Sequence, residues 1–180
     1  MPHANRAGAL AVAAILAAMA PLAAQAPKAD PADVASPRAI VEAAYEAIAR
    51  KPGETYDWAR FRTLFLPEAR LIPNTEQSGG SFTVLTPQDF IDWIDGVTNL
   101  GPDDRGFREV GVHNVVEEYG DIAHVFSTYQ KHFHGDDQVL GGGINSFQLV
   151  RKDGRWWIVG IVWDEPSGAG PIPEKYRPKQ

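Results

Sequence analysis

The segment from Asp121 to Trp163 constrains this chain most. Two long runs, IAHVFSTYQKHF (122–133) and INSFQLVR (144–151), are followed by Asp153-Gly154 and then WWIVGIVW (156–163). β-Branched and aromatic runs joined by an Asp-Gly pair read as antiparallel strands with a hairpin turn. The full meander covers 107–118, 121–134, 139–151 and 155–163, with turns at Tyr119-Gly120, Gly135-Asp136-Asp137 and Asp153-Gly154. Short turns make sequential strands antiparallel neighbours, and the apolar face they share must be covered by something else.

The cover comes from the N-terminal half. Ser36 can cap a helix that starts at Pro37 and places Ile40, Val41, Ala44, Tyr45 and Ile48 at helical spacing until Lys51-Pro52-Gly53. Asp57 caps a second helix with Trp58, Phe61, Leu64 and Phe65 on one side, stopped by Pro67. Thr86-Pro87-Gln88-Asp89 opens a third with a capping box, its apolar face built from Phe90, Ile91, Trp93, Ile94 and Val97. Residues 69–74 and 81–85 read as short strands around the loop 76–80. Three N-terminal helices packed on a curved, mainly antiparallel sheet define an α+β domain.

Outside residues 36–165 the chain changes character. Residues 1–26 join a short basic start, MPHANR, to an Ala-rich apolar run ending in Ala24-Gln25-Ala26, the pattern of a cleavable secretory signal peptide. The run is short of the roughly 20 strongly apolar residues of a membrane span. Residues 27–35 read as a flexible linker, and the Pro- and Gly-rich residues 166–180 as an irregular tail. The expected location is periplasmic or secreted. Arg6 is the only formal charge in the leader, so its removal moves the formal balance from -6 to -7. An acidic domain is a poor partner for nucleic acid or, once the leader is cleaved, for anionic membrane. Without cysteine the chain has neither disulfides nor thiolate chemistry.

The helices, the meander, and the residues Asp57 to Ala69 (DWARFRTLFLPEA), Gly120-Asp121-Ile122-Ala123 and Asp153-Gly154-Arg155-Trp156 together resemble the nuclear transport factor 2-like superfamily, which includes SnoaL-type cyclases and ketosteroid isomerases. Pro171 to Tyr176 is similar to the ending of exported bacterial members of unassigned function. The resemblance implies a cone whose bent sheet wraps the first helix around an apolar pocket. Against ketosteroid isomerases, Tyr45 falls at the oxyanion-holding tyrosine and Trp163 at a pocket tryptophan. Pro73 stands where the general base would be, and Ser146 where the protonated acid would be. A missing base removes isomerase chemistry of that type.

Period-2 alternation places Ala123, Val125, Ser127 and Tyr129 on one face, read as the pocket side. The resemblance at Ser146 and Trp163 then groups Ile144, Ser146 and Gln148, and Val159, Ile161 and Trp163, toward the pocket; the alternative turns Asn145, Phe147 and Leu149 inward. Tyr45, Tyr129, Ser146 and Gln148 are the candidate hydrogen-bonding groups for a ligand, with Trp163, Phe61 and Trp93 as apolar walls. His113 and His124 are the weaker acid-base candidates, with Asp57 better read as a helix cap. His132 and His134 beside Asp136-Asp137 read as a solvated hairpin end, so no metal and no cofactor is expected. Gly141-Gly142-Gly143 is no phosphate loop and reads as a bulge or sharp bend.

The leading expectation is a domain that binds a small apolar or amphipathic molecule in the cone. The alternatives are a cofactor-free acid-base lyase, isomerase or hydratase, and a structural module that forms a homodimer through its sheet.

Overall fold

The computed structural model describes residues 28–74, 76–77 and 79–178. The leader read over residues 1–26 lies outside them. Helix α1, Pro37–Ala47, is capped by Ser36, whose Oγ accepts from the Ala39 amide at 3.1 Å. It is buried along Ile40, Val41, Ala44 and Tyr45. Helix α2, Trp58–Leu64, is capped by Asp57, which accepts from the Arg60 amide at 2.9 Å. That carboxylate is therefore structural. Strand β1, Phe65–Ile72, follows without a loop, and helix α3, Pro87–Val97, begins at the Thr86/Asp89 capping box.

Strands β2 (Arg108–Tyr119), β3 (Ile122–His132), β4 (Gly141–Lys152) and β5 (Arg155–Asp164) form the antiparallel meander, and β1 adds to β5 in parallel. The sheet order is β1-β5-β4-β3-β2, open at both edges. The five-stranded sheet and the helices against it make the α+β cone.

Four expectations are corrected. The helix read up to Pro67 ends at Leu64, because Phe65 already bonds into the ladder opposite Ile158. Residues 81–85 form no strand; Leu85 alone bridges Leu71, and Phe82 is exposed with no face to bury. The linker reading fails for Asp33 and Val34. Asp33 receives two bonds from Arg60, each 2.8 Å, and buried Val34 accepts from the Trp156 amide at 3.0 Å. The tail carries a helical turn at Pro166–Ala169 and another at Glu174–Tyr176. Tyr176 docks on the outer face of β3, its carbonyl accepting from Thr128 Oγ1 at 2.6 Å and its ring lying 4.8 Å from Phe126.

The glycine run is a crossing point and not a bulge. A Cβ on Gly142 would collide with the Tyr129 carbonyl oxygen, and one on Gly143 with that of Asp164. The register slips elsewhere: between Gly111 and His113 on β2, and between Gln148 and Leu149 on β4.

Candidate functional site

Residues paired across a ladder share a face, so the register decides which side chains reach the interior. Ser127 pairs with Asn145 and Val125 with Phe147; Asn145 then pairs with Trp163, and Phe147 with Ile161. Ser127, Val125, Asn145 and Phe147 are all buried. Choosing Ser127 and Tyr129 as inward therefore requires Asn145 and Phe147 to be inward too. The grouping of Ile144, Ser146 and Gln148 toward the pocket is overturned. Ser146 lies on the outer face, 3.0 Å from His124 Nε2, and Gln148 is exposed. On β5 the slip opposite Gln148 and Leu149 turns Val159 outward and Ile158 inward, while Ile161 and Trp163 keep their expected side.

Between α1, α3 and the concave face of the sheet lies a cavity of about 760 Å³. Tyr45, Phe61, Trp93, Tyr129 and Trp163 of the candidate residues line it. Exposed Val97, Asp103 and Arg105 mark its mouth, at the end of α3 and in the loop leading to β2. Its apolar wall is aromatic: Phe90 stacks on Phe61 at 5.5 Å and meets Trp93 and Trp163 edge-on, both at 6.1 Å. At the mouth Arg50 and Asp104 form a bidentate pair, 2.6 and 2.9 Å, and Asp104 also accepts from the Gly53 and Gly106 amides at 2.7 and 2.9 Å. The Arg50 guanidinium holds the Asp104 carboxyl well below the usual carboxylate range.

Two polar clusters face the interior. In the first, Tyr45 Oη is 2.7 Å from Ser127 Oγ and accepts from Asn145 Nδ2 at 3.1 Å. In the second, Glu165 accepts from Tyr129 Oη at 3.0 Å, from Lys131 Nζ at 2.7 and 2.8 Å, and from Gln77 Nε2 at 2.6 Å. Gln77 in turn accepts from Trp163 Nε1 at 2.6 Å. Burial pushes both tyrosine hydroxyls up, the nearby Glu109 and Glu165 adding for Tyr129. Both stay hydrogen-bonding groups at any physiological pH.

Glu109 completes the second cluster. Its carboxyl belongs to the cavity wall, no hydrogen bond from the described residues stabilises its charged form, and burial, with a contribution from Glu165, pushes it up to about 8 against the opposing pull of Lys131. The sequence reading places it in the strand 107–118 and does not name it among the candidates. The available signal was the spacing of Glu109 and Gly111, which share a face: a Cβ on Gly111 would lie 2.9 Å from the Tyr45 ring.

The histidines are not in the cavity. His113 pairs with Thr128 and His124 with Glu117 and Gln148, all on the outer face, so the imidazole pair is excluded as interior acid-base chemistry. His132 is buried, not solvated, with Nδ1 at 3.1 Å from the Gln138 carbonyl. Among the described residues no cluster of His, Asp and Glu is arranged to hold a metal ion.

The chain has the nuclear transport factor 2-like fold, an open curved sheet around a lined cavity. It is similar to a nuclear transport factor 2-like protein of unknown function from Silicibacter pomeroyi DSS-3, at 20% identity and TM-score 0.50 over 71% of this chain and 91% of that one. It is also similar to a candidate ketosteroid isomerase from Parabacteroides distasonis ATCC 8503, at 17% identity and TM-score 0.50 over 74% and 89%. A third likeness is to a candidate aromatic ring hydroxylase from Novosphingobium aromaticivorans, at 15% identity and TM-score 0.51 over 71% and 85%. No protein-family model and no curated protein sequence matches the chain.

Proposed function

We propose that this domain binds a small, largely apolar molecule inside the cone, with the molecule's polar end at Tyr129, Glu165 and Glu109. The cavity carries the reading. Its volume of about 760 Å³ falls within the roughly 300–1,000 Å³ of small-molecule sites, and its lining has the expected character, aromatic with a few convergent polar groups. A purely structural module would fill that space with side chains, since unfilled apolar space forfeits dispersion contacts. The test is native mass spectrometry for a retained small molecule, followed by titration with the neutral probe N-phenyl-1-naphthylamine. Trp163→Ala and Phe90→Ala should each weaken probe binding; unchanged affinity in both would sink the reading.

One arrangement favours a second reading, cofactor-free acid-base catalysis by a lyase, isomerase or hydratase. Glu109, raised to about 8, can give or take a proton near neutral pH, and Tyr129 and Glu165 stand beside it. A bound ketone such as 4-phenylbutan-2-one should then exchange its α-protons with deuterium oxide faster than buffer does, an effect lost in Glu109→Gln. Exchange at the buffer rate removes this reading. The leader pattern of residues 1–26 supports action outside the cytoplasm, checked by the mass of the processed N-terminus in the periplasmic fraction.

A further inference from the structure

The charged side chains around the cavity are unequally satisfied. Its three cations are all in ion pairs: Arg50 with Asp104 at 2.6 Å, Arg105 with Asp136 at 2.9 Å, and Lys131 with Glu165 at 2.7 Å. Of its four carboxylates, Asp103 and Glu109 make no ion pair among the described residues. Asp103 is exposed at the mouth, and Glu109 belongs to the wall beside the second polar cluster. The groups facing Glu109 are Lys131 and Tyr129 from β3, Glu165 after β5, and Tyr45 from α1. Lys131 is directly across the ladder, but its ammonium contacts both oxygens of Glu165.

We infer that the cavity takes an amphipathic amine, its ammonium on the Glu109 carboxylate and its apolar body against Phe90, Trp93 and Trp163. This rests on the binding reading above and specifies the ligand's polar end. An anionic ligand would meet two carboxyl groups without an ion pair and, among the described residues of the lining, no unpaired cation. A neutral ligand leaves Glu109 protonated at neutral pH, because its bare charge is costly in a low-dielectric wall. An ammonium removes that cost, and the aromatic faces in the same cavity attract a cation and its adjacent methylenes. Because burial holds the carboxyl at about 8, an ammonium that docks at pH 7 expels its proton. One proton leaves the carboxyl for solvent, and an ion pair forms in its place.

Isothermal titration of the purified protein with 4-phenylbutylamine, 4-phenylbutan-1-ol and 4-phenylbutanoate separates the possibilities. At pH 8.5 the amine should bind at least about tenfold more tightly than the alcohol, with the carboxylate weakest, as expected for one partly buried charge pair. In Glu109→Gln the amine-to-alcohol preference should fall to roughly twofold or less, with circular dichroism as the check on folding. Enthalpies compared between phosphate and Tris buffers should give close to one proton released per amine bound at pH 7 and less at pH 9. An alcohol that binds as tightly as the amine, or a wild type that releases no proton at pH 7, overturns the inference and leaves the binding reading standing. Failure of all three compounds to saturate overturns both.

Discussion

Glu109 and Lys131 face one another across the β2–β3 ladder, yet the Lys131 ammonium lies on Glu165, 2.7 and 2.8 Å from its two oxygens. Cross-strand opposite charges ordinarily pair, so the ladder offers Glu109 a partner that a second carboxylate has taken. The difference is geometric: Glu165 also collects Tyr129 and Gln77, a hydrogen-bond set that favours its charged form. Glu109 is left to hold a proton.

That proton makes stability depend on pH. A carboxyl raised from 4.5 to about 8 binds its proton more tightly in the folded chain than in the unfolded one. Its contribution therefore favours folding below about pH 4.5 and is lost as pH rises through about 8, a change on the order of 2–4 kcal/mol. Urea unfolding at pH 5 and pH 8.5 should show this loss in the wild type. Glu109→Gln should remove most of the slope; an equal slope in the variant would mean that Glu109 is not the group responsible.

Gly111→Ala tests how tightly the first polar cluster is built. The added Cβ would lie 2.9 Å from the Tyr45 ring and 3.3 Å from Ser127 Oγ, so the buried tyrosine must shift. Overpacking of this kind costs about 1–3 kcal/mol. Chemical denaturation should report that loss, and a variant as stable as the wild type would mean that α1 can move away from β2 without penalty.

The Arg50–Asp104 pair should hold the mouth. Both side chains are about 95% removed from solvent, whereas Lys51 and Glu54, 3.8 Å apart, are more than half exposed. Asp104→Asn should lower the melting temperature clearly and Glu54→Gln should leave it nearly unchanged, since exposed pairs contribute about 0–1 kcal/mol. Because Asp104 has a lowered pKa, its contribution is present above the ordinary carboxylate value of 3.8 and fades as pH falls below it. The difference in melting temperature between Asp104→Asn and wild type should therefore shrink in acid.

Much of this domain is legible in the chain. Ser36, Asp57 and the Thr86/Asp89 box mark helix starts because capping is local chemistry. Asp153-Gly154 marks its turn for the same reason: both take positive φ, 53° and 77°. Phe61 and Trp93 could be named as wall candidates because large apolar groups at core spacing must border any hollow, Tyr129 through strand alternation, and Tyr45 and Trp163 through the resemblance. What was not legible is what depends on register. Val112 on β2 and Val159 on β5 are extra residues in their ladders and reverse faces midway along those strands, so an alternation counted from one end is wrong at the other; β4 alternates unbroken, and only its partners fix which face is inward. Glu109 escaped notice for a related reason: its significance is the carboxylate at position 165 that claims its partner, and no local pattern connects the two.

The register also gives the last prediction its contrast. Asn145 and Ser146 are adjacent, one the buried donor to Tyr45 Oη at 3.1 Å, the other on the outer face beside His124 at 3.0 Å. Asn145→Ala leaves the buried tyrosine oxygen short of a donor, with Ser127 its remaining partner, and should cost about 1–3 kcal/mol. Ser146→Ala removes a contact that water can replace and should stay within about 0.5 kcal/mol. The same order should hold for binding of N-phenyl-1-naphthylamine, weakened by Asn145→Ala and untouched by Ser146→Ala. The reverse order in either measurement would mean that β4 is turned by one residue in solution, which would take Phe147 out of the cavity and bring Ser146 beneath Tyr45.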